Sequence, residues 1–397
     1  MAESLFGIYK LAKDYNNDGY LNWGTSYPKD GVGYEEYVVH AGTIIGCTAN
    51  FINLLEGKPE LYSLKISSGE TFRDVATYIL DITINHIIPG YEIDWNNQYG
   101  VYMNRKGSKN YAGLEGISLP NNQYLIMAYG LLELSKLDID FNLKNDYYQK
   151  AVKMIKNFNN HVIRNSDGTL SWNYKDVLFD GDKEGFIEDY SHGMHDIDTA
   201  IAAYSAGIAF TKDDIEAFAK TYDTTMYVSV GGVPMLTSNV NGKGCENRKK
   251  CGHIFLKLFD LSNYSTNIWV RGKDYIEKKG SGDIYAEVDY TRVLAYHKDS
   301  PKPYHFSLTY PKDKSGTVRS SFAVFRWENS VRASGYDVII SMNPDLSNAI
   351  IARSNLLETS MLVTDRLKPG QKYYWQVTAR NITGQQTKSD IYSFKAI

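Results

Sequence analysis

The apolar period of this 397-residue chain changes once, near residue 300. Before about residue 298 the apolar residues recur at helical spacing. After it they alternate with polar ones, the period of a half-buried strand. At the change lies His297-Lys-Asp-Ser-Pro-Lys-Pro303, whose prolines and charges read as a linker. The pattern predicts two domains, 1–298 mainly helical and 304–397 all-β, in keeping with the length.

The second part fits a small antiparallel sandwich. Ser321–Trp327, Gly335–Ser341, Ser360–Thr364 and Lys372–Ala379 each follow period two, and Asn343-Pro344, Pro369-Gly370 and Gly384 punctuate them. Leu367-Lys-Pro-Gly-Gln-Lys-Tyr373 followed by Tyr-Trp-Gln-Val-Thr-Ala-Arg-Asn381 resembles the fibronectin type III signature around its tyrosine corner. Trp327 stands where that family places its core tryptophan. The resemblance implies a spacer or docking unit for other extracellular modules, of the kind bacteria append to secreted carbohydrate-active enzymes.

In the first part, Glu70–Ile84, Asn122–Leu134, Tyr147–Val162, Asp196–Gly207 and Asp213–Tyr222 have helical stripes, and Phe255–Leu261 and Ile284–Tyr296 follow more weakly. Helices starting near 40, 121, 192 and 253 are apolar or rich in small residues, and those near 70, 147 and 213 are amphipathic with charged faces. Alternation of inner and outer helices predicts a mainly α fold, an (α/α)5–6 toroid, followed by the sandwich.

An internal repeat accompanies the helices. Asp18-Gly-Tyr-Leu-Asn-Trp23 recurs as Asp167-Gly-Thr-Leu-Ser-Trp172, about 150 residues on. Each Trp precedes a Glu placed four residues before a His: Glu36 with His40, and Glu188 with His192. In a toroid the helix starts meet at one mouth, so His40, Asn121, Asn122, Gln123, His192, His195 and His253 are expected around one cleft. The densest stretch is Glu188-Asp-Tyr-Ser-His-Gly-Met-His-Asp196. With Trp172-Asn-Tyr174 and Leu119-Pro-Asn-Asn-Gln123, it resembles six-hairpin-type bacterial carbohydrate-active proteins. That resemblance implies a polysaccharide lyase, a glycoside hydrolase or a related sugar-processing protein.

Two chemistries fit these residue types. In β-elimination, Tyr190, His192, His195 and His40 would supply base and acid, while Asn121, Asn122, Gln123 or Arg105 would hold a uronate carboxylate. Glycoside hydrolysis would instead use paired carboxylates, Glu36 with Glu188 or Asp189 with Asp196. Trp23 and Trp172 are expected to stack on sugar in either case, in a chain carrying 32 tyrosines. Elimination is preferred for its His and Tyr density. A non-catalytic glycan-binding surface protein is the rival from another class.

Other signals narrow the field. A net charge of −3 argues against nucleic acid or an anionic membrane held by bulk charge. No run of 18 apolar residues is present, and the N-terminus lacks a long apolar stretch, so the expected secreted or surface location implies a signal outside this sequence. No cofactor or metal is expected. Asp14-Tyr-Asn-Asn-Asp-Gly19 opens like a calcium loop, but its twelfth position is Thr25, not Glu, and it reads as a solvated turn. Cys245 and Cys251 would close a small disulfide loop in a secreted protein, or stay free thiols otherwise.

Overall fold

The computed structural model describes residues 1–26, 34–106, 114–179, 183–252, 256–279 and 301–397. The described residues are about 40% helical and 23% strand. The expected mainly α class, with its (α/α)5–6 toroid, is corrected to a mixed α and β fold. Strand enters in two ways, as the C-terminal sandwich and as short hairpins set among the helices. One hairpin pairs Tyr227–Val230 with Val233–Leu236 across Gly231 and Gly232, both at positive φ (61° and 76°), as a two-residue primed turn requires. The helix expected over 284–296 and most of the expected linker lie outside the described residues.

The chain forms two compact units, the first comprising 1–161 and 173–186, the second 162–172 and 187–397. In the first unit the helices are α1 (Ala2–Lys10), α2 (Val38–Gly57), α3 (Phe72–Ile82), α4 (Asn121–Leu134) and α5 (Phe141–His161). Nearly every residue of α4 is buried. It lies against α2 at backbone range: a Cβ on Gly42 would stand 2.6 Å from the Met127 amide nitrogen. Among the described residues, α2 has the length and composition to cross a bilayer, yet 61% of its most apolar window is buried inside the protein, as in a core helix.

The second unit begins with a hairpin, Ile163–Arg164 against Leu170–Ser171, whose turn is Asp167-Gly168 with Gly168 at φ 80°. Helices α6 (Gly193–Ala206), α7 (Lys212–Lys220) and α8 (Thr266–Lys279) follow. Thr211 and Asp214 form a reciprocal capping box at the start of α7.

The sandwich strands are β1 (Leu308–Tyr310), β2 (Ser315–Val318), β3 (Phe322–Trp327), β4 (Gly335–Ser341), β5 (Ile351–Leu356), β6 (Ser360–Thr364), β7 (Lys372–Arg380), β8 (Gln386–Lys388) and β9 (Tyr392–Ala396). One sheet runs β6-β3-β1 and the other β2-β9-β7-β4-β5, with β8 also on β7. Tyr373 Oη accepts a hydrogen bond of 2.8 Å from the Lys368 amide, which closes the corner before β7. Trp327 is buried edge-on to Tyr336. Strand order, corner and core tryptophan together make this a fibronectin type III-like element.

Candidate functional site

The two copies of the repeat fall in different units and are built differently. In the first unit, Glu36 ends the strand Tyr34–Glu36 and its side chain is 3% exposed. Arg105 reaches it from Nη1 at 3.1 Å and donates from Nε to Asp94 at 2.9 Å and from Nη2 to the Gly90 carbonyl. Burial pushes the Glu36 carboxyl up to about 7, although Arg105 opposes the shift. Arg105 is therefore spent on two carboxylates and a carbonyl, not left to receive a substrate carboxylate. Trp23 is half-buried, with Nε1 donating to the Ile8 carbonyl at 2.9 Å and its ring edge-on to Tyr9. His40 lies exposed in the first turn of α2, with Nδ1 3.1 Å from Thr25 Oγ1.

The amides at the start of α4 are mostly structural. Asn121 is buried, and its Nδ2 donates to the Asn173 carbonyl (2.9 Å) and to Asp176 Oδ2 (2.8 Å) while its Oδ1 accepts from Tyr124 Oη (2.8 Å). It ties the 173–176 strip to the helix, and both of its amide protons are already engaged. Asn122 is buried as well, and Gln123 is half-buried.

In the second unit Trp172 is fully buried, so it presents no face to a sugar. Its Nε1 donates to Asp196 Oδ2 at 2.7 Å and its ring stands edge-on to Phe218. The expected stacking role of Trp172 is corrected to a core plug that orients a buried acid. Glu188 is also fully buried, with its amide on the Trp172 carbonyl at 3.0 Å. Burial, then the neighbouring Asp196 carboxylate, holds Glu188 well above the usual carboxylate range, so it is protonated at neutral pH. Gly193 opens α6 at a tight spot: a Cβ there would meet Trp172 Cζ2 at 3.0 Å and Glu188 Cγ at 3.4 Å, so a larger residue would push the ring or the acid aside.

Beside this buried acid sits a half-exposed base. Asp189 accepts from the Ser191 amide (2.7 Å), Ser191 Oγ (2.6 Å) and the His192 amide (3.0 Å), and its second oxygen contacts His192 Nδ1. Burial opposes ionisation of Asp189, but the bonds from His192 and Ser191 prevail and hold its carboxyl well below the usual range. The same contact raises His192 above the ordinary imidazole value. The His192 side chain is 48% exposed. One ligand-type atom from each of Glu188, Asp189 and His192 lies within 4.8 Å of the others. Such a set suits general acid–base work.

Tyr190 packs its ring flat over Gly252, where a Cβ would come within 2.6 Å of Cγ. Gly252 is placed by paired backbone bonds to Leu236 and by the disulfide between Cys245 and Cys251, which the sequence left open. His195 is half-buried in the first turn of α6 and is not in the three-residue cluster. His253 lies outside the described residues. Asp189, expected as a hydrolase carboxylate paired with Asp196, instead fixes the imidazole of His192. Its signal was local: an Asp two residues before a Ser and three before a His is an Asx-turn arrangement that fixes the imidazole.

No protein-family profile matches the chain, and no curated protein matches it in sequence. Among solved structures, a fibronectin type III-like protein from Clostridium thermocellum is 20% identical, covering 24% of this chain and 96% of its own, with a TM-score of 0.20. A structure described as an FN3tt mutant is 19% identical over 24% of this chain and 91% of its own, with a TM-score of 0.17. An engineered protein solved at 1.98 Å is 10% identical over 91% of this chain and 99% of its own, with a TM-score of 0.19. Scores this low carry no functional weight; the sandwich stands on its own strand order and corner.

Proposed function

We propose that the second unit carries a general acid–base centre that cleaves a uronate-containing polysaccharide by β-elimination. The observation that carries this reading is the Asp189–His192 pair: a part-buried carboxylate is hydrogen-bonded to Nδ1 of a half-exposed imidazole. His192 Nε2 takes the proton α to the uronate carboxyl group. The electron pair forms a carbon–carbon double bond and expels the glycosidic oxygen, which Tyr190 protonates. Glu188, fully buried, does not touch substrate; it stays neutral beside the pair and keeps a second negative charge away from it.

Hydrolysis loses support from the same geometry. Paired glycosidase carboxylates flank the substrate about 5–9.5 Å apart. Here Asp196 is fully buried on Trp172, beside the equally buried Glu188. Polysaccharide as substrate draws on the sequence resemblance around Glu188–Asp196 and on the fibronectin type III-like element. The disulfide supports an extracellular setting. A non-catalytic glycan-binding reading has one observation in its favour: Asp189 also caps the turn into α6.

Incubation with a panel of uronate polysaccharides, reading ultraviolet absorbance of the unsaturated product and reducing ends in parallel, tests the proposal. Both signals rising together, and surviving a chelator, are expected. Reducing ends alone support hydrolysis, and binding with neither signal supports the non-catalytic reading.

A further inference from the structure

Within the second unit, the fibronectin type III-like element is fastened to the helices. Tyr204 Oη, on α6, donates to the Ser354 carbonyl at 3.0 Å, Tyr264 Oη donates to the Asn355 carbonyl at 3.0 Å, and Asn263 Nδ2 donates to the Ser334 carbonyl at 2.6 Å. The two tyrosine bonds fall on β5, an edge strand of its sheet, and the Asn263 bond falls just before β4. Beside them opens a cleft of about 600 Å³. That is within the range of about 300–1,000 Å³ usual for ligand sites.

The walls are polar and their charges are compensated. Arg380 is paired with Asp337, and Lys212 with Glu216. Ser262 lines the cleft at 2% exposure, and its hydroxyl has no partner among the described residues. A buried hydroxyl left unsatisfied is unfavourable, and a ligand hydroxyl in the cleft would relieve it. Hydroxyl, amide and paired-charge groups with a tyrosine at the wall match a hydroxyl-rich ligand rather than an apolar or a strongly charged one.

We infer that this cleft is a binding subsite for a short oligosaccharide segment, with the sandwich forming half of its wall instead of acting as a free spacer. The choice of sugar rests on the polysaccharide reading above; the cleft does not. Calorimetric titration of the full chain with a uronate tetrasaccharide and, separately, a neutral tetrasaccharide of β-linked glucose tests it. At least one is expected to bind saturably, and comparing the two arms identifies the sugar class. Thr266→Trp, which fills the cleft from the exposed first residue of α8, should weaken that binding at least tenfold, and Ser262→Ala severalfold. His192→Ala should leave it unchanged, so loss of turnover and loss of this subsite separate. No saturable binding of either sugar, or binding that both cleft variants leave intact, overturns the inference.

Discussion

Two copies of one motif, Asp-Gly-x-Leu-x-Trp with a following Glu and His, end in opposite electrostatic states. At the first copy the buried Glu36 faces a guanidinium, and Trp23 keeps part of its surface in solvent. At the second the buried Glu188 faces another acid, Asp196, and Trp172 is sealed in the core. A cation makes the first cluster a structural tie. The second sets two acids side by side, a raised Glu188 next to an oriented, half-exposed imidazole. Burial alone does not make a carboxyl chemically useful; the neighbour that answers its charge decides.

The largest test of this contrast is at the tryptophans. Trp172→Ala should destabilise its unit by about 3–5 kcal/mol, by removing a fully buried ring and stranding Asp196. Trp23→Ala should cost about 1–2 kcal/mol, because part of that ring is already in water. Urea unfolding of each variant reads the difference, and equal losses would break the comparison.

The pH dependence of stability sharpens it next. Glu36 has its folded-state value raised to about 7, so the folded state binds more protons than the unfolded one between the ordinary value of 4.5 and 7. Its contribution is complete below the lower value and is lost as pH rises through the higher, by at most about 3 kcal/mol. Glu36→Gln should flatten stability across that window. Glu188 is raised much further, so its proton difference also opens at 4.5 but continues past 7; Glu188→Gln should flatten stability through the window and on above neutral pH, where Glu36→Gln no longer does.

A smaller effect concerns the dyad. Because Asp189 raises His192, the acid limb of kcat/KM should lie above pH 6.5, the ordinary imidazole value. Asp189→Asn removes the charge that favours imidazolium, so the limb should move to lower pH while kcat falls. A limb that stays in place would detach Asp189 from the imidazole.

The sandwich was the more legible region. The runs Gly335–Ser341 and Ser360–Thr364 coincide with β4 and β6, and Tyr373 makes the corner bond its motif implies, since period two and turn chemistry are local properties. The helical region was legible in part. The helix after Pro120 begins at Asn121, but the Gly231-Gly232 turn between Tyr227-Val-Ser-Val230 and Val233-Pro-Met-Leu236 makes a hairpin that the helical reading of 1–298 omits, and so the fold class was set too far toward α. At the site, the residue types were visible and their partners were not. Arg105 is taken by Asp94 and Glu36, and Asn121 by Asp176, through contacts 11 to 69 residues apart that no local pattern encodes.

Turnover of a uronate polysaccharide by His192→Ala, measured beside its urea midpoint, tests the acid–base centre most directly. His192 is half-exposed, so the midpoint should stay where it is while turnover falls at least about 100-fold. A folded variant that still produces the unsaturated product at close to the original rate would contradict the account.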